Sequence, residues 1–175
     1  VGEERARVAV VHSNYLLSNY NHGHYAQEQV HELVHDFRVP LVLFSEGDGK
    51  PWGNVGNVGI DASIFSEFAR LSALVPLVGI NTGHCYAGNA TLLGCCDTII
   101  ATKKSTLGMN SPDVVAASGL GDYNYEELGA MTHHSENGNV DIVVEDDVEA
   151  VHIAQQYLSY FQGAVADWEE NDQRR

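Results

Sequence analysis

Two stretches of this 175-residue chain place reactive residue types at spacings that do chemistry. The first is His31-Glu32-Leu33-Val34-His35, an HExxH word. On a helix its two histidines, one turn apart, can chelate zinc while the glutamate acts as base. A catalytic zinc also needs a third ligand and an open coordination position. The extended form of the motif puts a glycine and a third histidine where this chain has Arg38 and Leu41. A carboxylate ligand from a later helix leaves Glu67 as candidate, and Asp36 puts a charge where the motif carries an uncharged residue. With nine histidines in the chain, one HExxH is weak evidence. His24, Glu28, His31 and His35 read as the solvated stripe of a helix, with a zinc hydrolase kept as an alternative.

The second stretch is Gly83-His84-Cys85-Tyr86-Ala87-Gly88-Asn89-Ala90-Thr91-Leu92-Leu93-Gly94-Cys95-Cys96-Asp97, leading into Thr98-Ile99-Ile100-Ala101. A turn of small residues opening a helix exposes backbone N–H groups at the positive end of the helix dipole, where a developing oxyanion can be held. The bland alternative is a helix cap built of small residues for close packing.

Composition narrows the partners. A formal net charge of −15 opposes non-specific binding to nucleic acid or anionic membrane, which relies on Lys and Arg. Only three lysines occur, Lys50, Lys103 and Lys104, so an anionic ligand would have to be met locally. Cys85, Cys95 and Cys96 are an odd number without a CxxC pair, which argues against a disulfide framework and a thiolate zinc site and favours a reducing cytoplasm. No apolar run approaches the ~20 residues of a membrane span. The chain opens on Val1, which reads as processing or as a segment of a longer polypeptide.

The elements that must position these residues follow from periodicity. Val8 to Val11 is a short buried strand, and a helix runs from about His24 to Phe37. Its apolar residues Ala26, Val30, Leu33, Val34 and Phe37 are expected to meet the core. Leu41-Val42-Leu43-Phe44, opened by Pro40, reads as a parallel strand covered on both faces. Glu46 to Gly59 holds five glycines and reads as a long loop. A helix capped by Asp61 and ended by Pro76 precedes the strand Leu77 to Ile80. Turn and helix, Gly83 to Cys96, lead to strands at Thr98 to Ala101 and Leu107 to Met109. A strand at Val140 to Val144 and a helix from about Asp147 to Phe161 complete the pattern. Strict alternation of strand and helix implies an α/β fold with parallel strands and right-handed crossovers. Residues 1–163 read as one domain and 164–175 as a polar tail.

The second stretch resembles the crotonase superfamily, whose pattern G-x-x-x-G-G-G-x-x-L-x-x-x-C-D-x-x-x-A fits without a gap, with Ala87 and Asn89 replacing two glycines. Where hydratases of that superfamily carry a glutamate pair, Thr91 and Ser111 stand here, so simple hydration is not expected. Further motifs in order resemble the N-terminal carboxyltransferase domain of biotin-dependent acyl-CoA carboxylases. They are Pro40-Leu41-Val42-Leu43-Phe44, Glu46-Gly47-Asp48-Gly49-Lys50, Pro76-Leu77-Val78-Gly79-Ile80, Pro112-Asp113-Val114-Val115, Glu126-Glu127-Leu128-Gly129 and Glu149-Ala150. Asp48 departs from the family's glycine run.

The resemblance implies a crotonase-like spiral of β-β-α units with a mostly parallel sheet flanked by helices. It implies carboxyl transfer from N-carboxybiotin to the alpha carbon of an acyl-CoA, in which biotin itself takes the alpha proton and no metal serves in this domain. The N–H groups of Gly88 and Asn89 would form the oxyanion hole. Gly47, Gly49, Lys50, Ala87, Lys103 and Lys104 would contact acyl-CoA; independently of the resemblance, the lysines follow strands at the carboxyl edge of the sheet, where ligands bind, the bland alternative being turn lysines kept for solubility. No Met-Lys-Met biotinyl site is present. Biotin would therefore arrive on a carrier domain or subunit, with a biotin carboxylase and a C-terminal carboxyltransferase domain as further partners in a homo-oligomer. Nucleic acid and membrane are not expected partners. Alone, the segment would bind acyl-CoA and catalyse nothing. A non-catalytic crotonase-like module that binds CoA or assembles subunits stays open beside this reading.

Overall fold

The computed structural model describes residues 7–13, 22–47 and 63–161. In chain order its strands are β1 (Ala9–His12), β2 (Leu41–Phe44), β3 (Leu77–Asn81), β4 (His84–Tyr86), β5 (Thr98–Thr102), β6 (Thr106–Gly108) and β7 (Ile142–Val144). The helices are α1 (His22–Phe37), α2 (Ser63–Ala69), α3 (Gly88–Leu93), α4 (Pro112–Ala117), α5 (Tyr125–Gly129), α6 (Met131–Glu136) and α7 (Asp147–Ser159). Five strands form one parallel sheet in the order β1-β2-β3-β5-β7, while β4 and β6 pair as a second, two-stranded parallel sheet.

The apolar run of β2 demanded cover on both faces, and it receives it. Leu41 and Leu43 pack with Val34, Phe68, Leu71 and Leu77 on the side of α1 and α2. Val42, one residue out of phase, packs with Val78, Ile80, Ile100 and Ala154 on the side of α7, as the period of two requires. A third cluster, including Cys85, Leu93, Ala101, Leu107 and Met131, joins the two sheets. In α3, Leu92 enters the first cluster and Leu93 the third, so six residues of helix are anchored on two sides. Asp97 closes the start of β3: its backbone N–H donates to the Leu77 carbonyl (2.8 Å), and its carboxylate accepts the Leu77 N–H (2.8 Å).

The parallel sheet and its β-β-α units are those of the crotonase-like fold. Strict alternation does not hold, because β3 runs directly into β4 and β5 into β6, each pair changing sheets. Strands of three residues, such as β4 and β6, are too short to display a period of two. The wide apolar face expected of α1 is narrower. Val34 is fully buried and Val30 partly so, but Leu33 is 45% and Phe37 70% exposed. Among the described side chains of this helix, the Val30–Val34 row reaches the core beneath the four-residue strands and the Leu33–Phe37 row faces away from it, while the side chain of Ala26 lies outside the described set. The helix expected to run to Pro76 stops at Ala69 and continues as tight turns, with Ala73 at φ 63°, that still bury Leu71 and Val75. The short helices α4 to α6 carry no apolar stripe, α4 having no buried residue at all, so periodicity gave no sign of them. The last strand begins at Ile142 rather than Val140, and α7 ends at Ser159. The Gly49–Gly59 part of the glycine loop, the Asp61 cap and the polar tail lie outside the described residues.

Candidate active site

Chain leaving β3 is turned out of the large sheet by Asn81, which is fully buried. Its Oδ1 accepts the Gly83 N–H (3.2 Å) and its Nδ2 donates to the Thr106 carbonyl (3.2 Å). β4 then runs between β6 and the segment that follows β2. On that second side the Gly47 N–H donates to the His84 carbonyl (2.5 Å) and the Tyr86 N–H donates to the Gly47 carbonyl (2.9 Å). Gly47 holds φ 139°, where side-chain-bearing residues are disfavoured. The loop after β2 and the stretch that leads into α3 are thereby one hydrogen-bonded unit.

At the end of β4 the backbone of Ala87 adopts φ 53°, ψ −123°. Its N–H is shared between the carbonyls of Gly108 (3.3 Å) and Met109 (3.1 Å), which holds this costly conformation in place. Helix α3 starts at once with Gly88. No side chain caps it, and the first-turn N–H groups of Gly88, Asn89 and Ala90 have no acceptor within the helix. Asn89 is 3% exposed. Its carbonyl accepts the Ser45 hydroxyl (2.8 Å), and its Oδ1 has no hydrogen-bond partner. The Thr91 hydroxyl donates back to the Ala87 carbonyl (3.1 Å), and Ser111 is buried with its Oγ likewise unpartnered. Neither supplies an acid or a base, as their residue types foretold.

Around this turn the sheet's carboxyl edge gathers charges that the sequence reading did not single out. Glu46, two residues past β2, accepts from the Thr82 hydroxyl (3.5 Å) and lies 3.4 Å from Nε2 of His12, the last residue of β1. Its backbone N–H and carbonyl both meet the Ser13 hydroxyl, at 3.3 and 3.4 Å. Gly83 packs so closely on it that a Cβ there would sit 2.5 Å from Oε2. The rule that ligands bind beyond the carboxyl ends of parallel strands was the signal for His12, Ser45 and Glu46, since each ends a strand or lies within two residues of its end. Cys85, fully buried beneath Ser45, donates its thiol to the Ser45 hydroxyl (3.6 Å). Burial pushes its pKa up to about 12; the Ser45 bond works against that and the Glu46 charge adds to it.

Of the remaining residues named from sequence, Lys103 follows β5 and its ammonium pairs with Glu145, which follows β7. Lys104 is exposed and has no ion-pair partner among the described residues. Gly49 and Lys50 lie outside the described residues. The structure thus brings Gly47, Ala87, Gly88 and Asn89 together and sets Lys103 and Lys104 at the end of the next strand. In the HExxH helix, His35 Nδ1 bonds Asp36 (2.9 Å), while the side chains of His24, Glu28 and His31 are outside the described set. Among the described residues no three His, Cys, Asp or Glu side chains gather as metal ligands would.

The chain matches the family described as carboxyl transferase domain over residues 17–173. It is 30% identical over 121 residues, 69% of its length, to the methylmalonyl-CoA carboxyltransferase 12S subunit of Propionibacterium freudenreichii subsp. shermanii, of which it covers 23%. The fold superposes on a single-chain, multi-domain long-chain acyl-CoA carboxylase with a TM-score of 0.75 and 41% identity, covering 87% of this chain and 15% of that one. The transcarboxylase 12S hexamer with methylmalonyl-coenzyme A and methylmalonic acid bound gives a TM-score of 0.66 at 27% identity, covering 86% of this chain and 30% of that one. The chain spans about a quarter of the length of the curated relatives it matches.

Proposed function

Because the chain belongs to the carboxyl transferase domain family, we propose that it forms the acyl-CoA-holding part of the carboxyltransferase of a biotin-dependent acyl-CoA carboxylase. The observation that carries this reading is the Ala87–Asn89 turn at the carboxyl edge, bent by the Gly108 and Met109 carbonyls so that α3 begins uncapped. In this reading the N–H groups of Gly88 and Asn89 receive the thioester oxygen and stabilise the negative charge that grows on it as the alpha proton leaves. Gly47 and Ala87 shape the approach to that oxygen, with Gly49 and Lys50 further along the same loop. Lys103 and Lys104 attract the phosphates of CoA, a point charge on a flexible stem being enough for that task.

Biotin carried by a partner domain supplies the carboxyl group. Thr91 and Ser111, where an acid–base pair would stand, offer no ionisable side chain, which agrees with a reaction that takes no base from this half of the site. One matched relative is a multi-domain single chain and another assembles as a hexamer, and the chain covers a fraction of each. A second carboxyltransferase domain, a biotin carboxylase and a biotin carrier are therefore the partners proposed, with this segment binding acyl-CoA but not turning over alone.

The test is to follow loss of radiolabelled carboxyl from carboxylated biotin carrier in the full-length protein, with and without acyl-CoA. Acyl-CoA-dependent transfer supports the reading. Retention of the label, with no binding of CoA or acyl-CoA by calorimetry, would sink it, and binding without transfer would favour a module that only holds CoA.

A further inference from the structure

We propose that Ser45 is a positioning residue for the Ala87–Asn89 turn: its hydroxyl bond to the Asn89 carbonyl fixes the direction in which the turn presents its N–H groups to the thioester. The inference rests on the function proposed above. Ser45 is itself rigidly placed, for it directly follows β2, is 1% exposed and continues the ladder by donating its N–H to the Ile80 carbonyl (2.9 Å). Its hydroxyl is committed in both directions, the hydrogen to Asn89 O at 2.8 Å and a lone pair to the Cys85 thiol at 3.6 Å. Burial keeps that thiol protonated at neutral pH, so the donor behind Ser45 persists.

One buried chain of hydrogen bonds thus ties β4, the end of β2 and the first turn of α3 together. The helix needs such a tie. It has six residues and no side-chain cap; the Gly108 and Met109 carbonyls hold Ala87 just before it, and its remaining anchors, Ala90, Leu92 and Leu93, make apolar contacts that set no direction for its peptide groups. An oxyanion site loses its value when misdirected by 10–20° or about 0.5 Å, and a hydrogen bond is the contact that sets direction. The Asn89 Oδ1 leaves the turn with one unpartnered buried acceptor, so its side chain does not duplicate the Ser45 tie.

In the full-length protein, Ser45→Ala is expected to lower kcat for carboxyl transfer about tenfold or more, with KM for acyl-CoA within about twofold of wild type. Its thermal midpoint should fall by no more than about 4 °C. Ser45→Thr, which keeps the hydroxyl, is expected to recover most of the rate. A merely structural serine would lower the midpoint without splitting kcat from KM, and that result, like an unchanged kcat, overturns the proposal. Should Ser45→Ala not fold, Ser45→Cys keeps the shape of the side chain with a larger sulfur and weakens the bond; a wild-type kcat in that variant overturns it equally. Absence of acyl-CoA-dependent transfer in the wild type would speak against the function proposed, independently of these variants.

Discussion

The Ala87 N–H bonds the Met109 carbonyl at 3.1 Å while Ala87 itself is held at φ 53°, ψ −123°. A methyl-bearing residue here occupies a conformation that glycine adopts freely, at a cost of about 1–2 kcal/mol. Glycine also loses more entropy on folding, by roughly 0.5–1 kcal/mol. Ala87→Gly is therefore expected to raise stability by up to about 1 kcal/mol, and Ala87→Val, which adds branching at Cβ, to lower it by about 2 kcal/mol. Urea unfolding of the three proteins checks the order, and a destabilising Ala87→Gly would contradict the strain assigned to this turn.

That position also marks what the sequence made legible. The glycine pattern places a glycine at 87, and the positive φ is the physical reason such a pattern exists; the turn was readable because backbone geometry leaves its mark on residue type. Central strands β2, β3 and β5 were readable because cover on both faces enforces unbroken apolar runs. Ser45, Glu46 and His12 were harder to find, because a polar residue after a strand is common and its partners lie about 34 to 44 positions away in sequence. The α1 face was over-read, since a periodic stripe fixes which side of a helix is apolar but not how far the sheet beneath it extends.

The α1 correction has a direct consequence. Val34→Ala, at a fully buried position packed near Leu41 and Leu43, is expected to cost about 1–3 kcal/mol. Phe37→Ala removes more carbon but from a side chain 70% exposed, and should cost below about 0.5 kcal/mol. A larger loss for Phe37 in chemical denaturation would mean that the helix is seated differently on the sheet.

Two close approaches differ in what can yield. A Cβ at Gly129 would lie 2.5 Å from the Leu107 carbonyl oxygen and 2.6 Å from Tyr86 Oη, and the carbonyl belongs to a paired strand. A Cβ at Gly79 would lie 2.6 Å from Leu93 Cδ1, the far end of a flexible side chain. Gly129→Ala is expected to destabilise by about 2–3 kcal/mol and Gly79→Ala by about 1 kcal/mol. The reverse order of thermal midpoints would refute this assignment of what can move.

Lys103 and Lys104 should not contribute equally to an anionic ligand. Lys103 is engaged by Glu145, while Lys104 is exposed without an ion-pair partner among the described residues. Lys104→Glu is expected to weaken CoA binding about three- to tenfold at low salt, with the effect shrinking as salt rises. Lys103→Glu should do less, and Glu145→Gln should strengthen binding slightly by releasing Lys103. Calorimetric titration with CoA at two ionic strengths decides this, and equal affinities in all four proteins would remove both lysines from the site.

Alkaline pH should reveal the buried thiol beneath Ser45. Cys85 titrates at about 12 in the folded chain against an ordinary 9.0, burial being the main cause. A pKa raised by folding means that the protonated form is favoured in the native state, so the stabilisation is complete below about pH 9. It is lost as pH climbs toward 12, because the unfolded chain releases its proton first. Three units correspond to at most about 4 kcal/mol. Cys95 and Cys96, also raised by burial, act in the same direction. Cys85→Ala removes one of these three contributions. Its unfolding free energy should therefore fall less steeply than that of the wild type between about pH 9 and 11, even if it starts lower for want of the sulfur's packing. Parallel slopes in urea titrations across that window would mean that the thiol reaches water in the native state, and with it that the hydrogen-bond chain from Cys85 through Ser45 to Asn89 is not closed.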